Sequence, residues 1–112
     1  MLDVGLFIIA PNQKDISIIT EEDELPKFKL KDVGLLKDQI FEHTNQYFQV
    51  GENWTNFHSL GYIEPPLVMY FGTIIPEEVP LKRGTWQLLS QYMDKMSPDT
   101  FARLSGFVLE KM

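Results

Sequence analysis

Two histidines, His43 and His58, sixteen Asp plus Glu and no cysteine are the raw material for chemistry in this 112-residue chain. The absence of Cys removes thiol nucleophiles, disulfides and zinc knuckles together. His43 and His58 are not spaced one helical turn apart, so they lack the pattern of helical zinc sites. Ser59 or Ser105 could be combined with either His, but no Gly-x-Ser-x-Gly elbow presents a nucleophile. Neither a P-loop nor a Gly-x-Gly-x-x-Gly turn is present to cradle phosphate. What remains is acid. Glu21, Glu22, Asp23 and Glu24 are consecutive, and Glu77 and Glu78 form a second group. Both groups read as solvated connections at strand ends, where recognition residues collect. They are the candidate interaction residues, forming a charged rim around exposed apolar groups.

Composition bounds what such a rim meets. Ten Lys plus Arg against sixteen acids give a formal charge of −6, which weighs against nucleic acid or anionic lipid as a partner. It favours a protein partner with a basic surface, towards which an acidic chain is steered. Hydrophobic residues at 44% and charged residues at 23% are globular proportions, and the length suits one domain spanning residues 1–112. No apolar run reaches bilayer length and Asp3 stands where a signal peptide would carry positive charge, so a cytoplasmic setting is expected.

The elements that position these residues follow from periodicity. Val4–Ala10 and Ile16–Thr20 are apolar and β-rich, with turn chemistry at Pro11-Asn12-Gln13-Lys14, which predicts an antiparallel hairpin. Leu25–Leu30 alternates and contains Pro26 and two lysines, Lys27 and Lys29, as an edge strand does. Asp32 is placed to cap a helix from Val33 to Thr44, with Val33, Leu36, Ile40 and Phe41 on its buried face. Strand character returns at Tyr47, Phe48 and Val50 and again over Trp54–Ile63. These aromatics have no interleaved Lys or Arg, so core packing is expected of them rather than base stacking. Leu67–Ile75 is apolar at both parities and predicts the centre of the sheet, with Val68, Tyr70 and Gly72 on one face and Phe71 deep in the other. Trp86, Leu89, Met93 and Met96 recur at helical spacing behind a Thr85 cap, and Ser97-Pro98-Asp99 opens a last helix bearing Phe101, Leu104 and Val108. The fold class is α+β: a small mixed or antiparallel sheet packed against three helices.

In this order the opening hairpin, Leu25-Pro26, the helix ending Phe41-Glu42-His43-Thr44-Asn45, the apolar strands after it and the late Trp-bearing helix resemble the Nudix fold. In that family an LPGG-type opening precedes a loop and a helix reading Arg-Glu-x-x-Glu-Glu-x-Gly. On this register the family's Arg falls at Asp38, its first helix Glu at Gln39 and the second Glu of the metal-binding pair at His43; Glu42 alone is retained. Lys27-Phe28 stands where the family has a double Gly. A Nudix enzyme needs several carboxylates on one helical face to hold divalent cations, which neutralise the diphosphate and generate the attacking hydroxide. One carboxylate cannot do so.

The resemblance therefore implies a degenerate Nudix-like domain without catalytic residues, metal or cofactor. It would act by protein–protein interaction as an accessory or assembly component, a character common in small phage and viral proteins. The alternative is a divergent metal-dependent hydrolase, or a ligand-binding domain, for nucleoside diphosphate derivatives. It would hold Mg²⁺ with Glu42 and outlying carboxylates such as Glu22, Glu64 or Glu77.

Overall fold

The computed structural model describes residues 2–13, 15–31, 34–49, 57–64 and 67–111, with 61–64 described by backbone alone. Strand β1 (Asp3–Asn12) is buried at every position from Val4 to Ala10, so both its faces are covered. It lies mid-sheet because a strand apolar at both parities has no face to give to water. Strand β2 (Asp15–Thr20) returns antiparallel with Ile9 opposite Ile18, as the hairpin signal predicts. Strand β3 (Lys27–Lys29) pairs antiparallel with the first residues of β1, Val4 opposite Phe28. Strand β5 (Val68–Ile74) runs parallel to β1, and β4 (His58–Glu64) lies antiparallel outside β5, with a register shift between Ser59 and Ile63. Strand β6 (Thr85–Leu88) pairs antiparallel with β2. The six-stranded mixed sheet has the order β4-β5-β1-β2-β6, with β3 joined to β1 beside that path.

Side-chain alternation divides the core into two layers. Val4, Leu6 and Ile8 point to one face and meet Ile40 of helix α1 (Leu36–Thr44) together with Tyr47 and Phe48. Phe7 and Ile9 point to the other, where they meet Tyr92 of α2 (Leu89–Tyr92) and Leu104 and Phe107 of α3 (Pro98–Lys111). Each fully buried Leu, Ile or Phe contributes about 1.5–3 kcal/mol. α3 lies close on the sheet at Gly72, where a Cβ would stand 2.8 Å from the Phe107 ring.

Five expectations are corrected. α1 begins at Leu36 rather than Val33 because Gly34 takes φ +95°, which ends helical geometry on its N-terminal side. Its cap is Leu35, without a side-chain hydrogen bond, and the expected cap Asp32 lies with Val33 outside the described residues. Thr85–Leu88 is a strand, not the start of a helix: it pairs with β2 over four positions, which gives alternate residues backbone partners, and only Leu89–Tyr92 is α-helical before a 3₁₀ turn at Met93–Lys95. Tyr47 and Phe48 are fully buried but form no strand beyond a single bridge from Phe48 to Leu81. β5 is interior, yet the centre is β1, and Phe71 is only half-buried against the α1 layer. Val50, the Gly51-Glu52-Asn53 turn and Trp54 lie outside the described residues. The last helix starts as expected, with the Thr100 amide donating to Ser97 Oγ at 3.2 Å. Of its expected inner stripe only Leu104 is fully buried: Phe101 and Val108 are half-buried, and Phe107, one position before Val108, packs on the sheet instead.

Candidate functional site

The acidic stretch after β2 is a tight two-residue turn. The Glu21 amide donates to the Glu24 carbonyl at 2.7 Å and the Glu24 amide to the Glu21 carbonyl at 3.0 Å. Glu22 and Asp23 between them both have positive φ, 52° and 61°, the type I′ pattern that fits the twist of paired strands. Four neighbouring acids are therefore not equivalent. Glu21 accepts two hydrogen bonds from the Arg83 guanidinium, from Nη2 at 2.8 Å and from Nε. Asp23 pairs with Lys95 at 2.9 Å. Glu22 and Glu24 are exposed.

Glu77 and Glu78 are also exposed, and Glu78 accepts hydrogen bonds from Ser17 Oγ and Asn12 Nδ2. Ser17 is in the first half of β2, whereas Glu21–Glu24 follows its last residue. The two acidic groups thus sit towards opposite ends of one strand. They do not close into a single ring.

The face of α1 has a different character. Asp38 and Glu42, one turn apart and exposed, look onto a cavity of about 460 Å³ between α1 and the β3 segment, with Phe28, Lys29, Lys31 and Leu35 on its other walls. Gln39 is committed to backbone: its Oε1 accepts the Lys31 amide at 2.8 Å and its Nε2 donates to the Lys31 carbonyl at 3.2 Å. This clip ties the end of the β3 segment to α1. His43 packs between the rings of Phe28, 4.9 Å away, and Tyr47, 5.5 Å away. Burial, then the Arg83 charge, push its imidazole below the ordinary 6.5, and Glu21 opposes them.

Arg83 is the residue that sequence reasoning missed. Besides Glu21 it donates from Nη1 to Gln46 Oε1 at 2.9 Å and lies over the Tyr47 ring at 4.8 Å. It clasps the turn after β2, the end of α1 and its own loop. The Arg83–Glu21 contact holds the Glu21 carboxyl below its usual range, while burial raises the Tyr47 phenol. The sole local signal was Gly84, whose φ of +75° marks a turn.

Among the described residues no three His, Asp or Glu side chains are grouped to hold a metal ion; the Glu64 side chain lies outside them. No helix among the described residues is long and apolar enough to cross a membrane.

No protein-family model and no curated protein sequence matches the chain. Solved structures do match it in three dimensions. The NUDIX domain of Shewanella oneidensis NrtR, in a cocrystal with ADP ribose, superposes with TM-score 0.65 at 7% identity, over 96% of this chain and 88% of that one. The C-terminal domain of mouse MUTYH in complex with human PCNA gives TM-score 0.68 at 9% identity, over 99% and 90%. The Nudix hydrolase RenU from M. smegmatis gives 0.64 at 12%, over 98% and 87%. At such identities the likeness is one of architecture, and that architecture is the Nudix-like fold.

Proposed function

We propose that this Nudix-like chain is a non-catalytic cytoplasmic binding domain whose partner is a protein with a basic surface. One observation carries the reading. Two of the three α1 positions where the Nudix helix carries carboxylates hold other side chains with structural work: Gln39 clips Lys31, and His43 packs between Phe28 and Tyr47. Glu42 and Asp38 are left, and two exposed carboxylates are a poor donor set for the several-liganded divalent site that diphosphate hydrolysis needs. The described residues do not fit that metal site. The exposed Glu22, Glu24 and Glu77 supply the acidic surface, and the MUTYH domain of the same fold, in its complex with PCNA, is a precedent for protein contact.

The cavity beside α1 favours the second reading, a ligand site for nucleoside diphosphate derivatives. Incubation with ADP-ribose and Mg²⁺ or Mn²⁺, followed by chromatography, separates the two. No turnover is expected, together with no clustered NMR shifts around Glu42 on adding metal alone. Glu42→Gln should leave stability within about 0.5 kcal/mol, as for other surface changes away from special features. Hydrolysis abolished by that substitution would establish the enzyme instead.

A further inference from the structure

His43 Nε2 is buried and has no hydrogen-bond partner among the described residues. A neutral imidazole accepts that position when Nε2 is its unprotonated nitrogen. An imidazolium has donors on both nitrogens, and a buried donor without an acceptor is unfavourable. Among the described residues the surroundings offer no replacement. From the 81–84 loop comes the Arg83 cation, over the Tyr47 ring that His43 also touches. From the turn after β2 comes Glu21, whose two oxygens accept from that same guanidinium. Lys29 and Lys31 of the β3 segment and Asp38 and Glu42 of α1 line the cavity that His43 also lines, with Lys29, Lys31, Asp38 and Glu42 all exposed to solvent.

The neutral ring, by contrast, fits. It joins Phe28 of β3 to Tyr47 beyond α1, and Tyr47 is in turn the floor under Arg83. We propose that His43 is an acid-sensitive latch: neutral, it closes the Phe28–His43–Tyr47 stack that holds the end of α1 against β3, and protonation releases that stack. The depressed basicity of the imidazole agrees with this geometry, because a proton binds the released form more readily than the closed one. Release would widen the cavity beside α1 and loosen the Arg83 clasp through Tyr47.

Amide exchange across residues 36–47, corrected for the intrinsic effect of pH and followed from pH 7.5 to 5.0, tests the latch. Protection is expected to fall about tenfold or more in the parent chain, in step with the titration of the His43 ring signals in the same samples. His43→Phe and His43→Gln, which cannot take the proton, should both give flat profiles. A His43 ring that titrates while protection of α1 stays constant would overturn the proposal, and so would an unchanged acid response in either variant. If neither variant folds, the paired ring and amide titrations of the parent decide alone.

Discussion

Glu22 and Asp23 occupy left-handed backbone conformations that cost a side-chain-bearing residue about 1–2 kcal/mol, and that Asn and Gly adopt most readily. The chain makes the turn without them. Glu22→Asn should therefore raise stability by up to ~1 kcal/mol in urea unfolding, while removing one exposed acid. Charge at this tip is not uniform, since Glu21 and Asp23 are already paired with Arg83 and Lys95. The test of an acidic rim narrows accordingly to Glu22→Gln with Glu24→Gln. Against a basic partner, the double variant should associate more slowly, with a flatter salt dependence and a little-changed dissociation rate, because exposed charge acts mainly on encounter. Stopped-flow association at low and high salt reads this directly.

At the level of elements, legibility tracked sequence distance. The β1–β2 hairpin and α3 were readable because their signals are local: an apolar run with a Pro-Asn turn, and a Ser-Pro-Asp start whose Ser97 cap is in place. β6 was misread because Trp86, Leu89 and Met93 share a helical spacing, while the strand's partner, with Trp86 opposite Ile19, lies far upstream. Trp86 is instead fixed by a hydrogen bond from Nε1 to the Val79 carbonyl at 2.8 Å. The Arg83 clasp was invisible for the same reason, its partners Glu21 and Gln46 being brought in by the fold. The Nudix-like layout was readable and its architecture is found in the structure; the roles of Gln39 and His43 were not, because a clip and an aromatic stack leave no spacing rule behind. Close approach of α3 to the sheet depends on Gly72. Gly72→Ala should cost about 1–3 kcal/mol by overpacking, since the new Cβ would sit 2.8 Å from the Phe107 ring. Denaturant midpoints, with the slope unchanged, check it.

For the molecule as a whole, acid should act in two windows. The His43 imidazole is below its ordinary 6.5 in the folded chain, so the unfolded chain takes up that proton first. Its contribution is complete above pH 6.5 and is lost as pH falls below that value. Glu21 has a folded carboxyl below its ordinary 4.5, so its contribution is present above pH 4.5 and is lost on further acidification. Unfolding curves from pH 8 to 3 should therefore decline in two stages, and Glu21→Gln should remove part of the second while deepening the first, because the Glu21 charge opposes the lowering of the His43 imidazole.

The parallel pairing of β1 with β5 carries a consequence for how the chain is made. Asp3 stands opposite Val68, 65 positions later. At translation rates of about 5–20 residues per second, the first strand leaves the ribosome roughly 3–13 s before its neighbour exists. Over that interval β2 and β3 can pair with β1 on one side only, and its other edge, apolar from Leu6 to Ala10, stays open to any passing strand. The nascent chain is thus most exposed to aggregation before residue 74 emerges, and a trigger-type chaperone holding that edge should raise soluble yield more than any substitution in the finished surface.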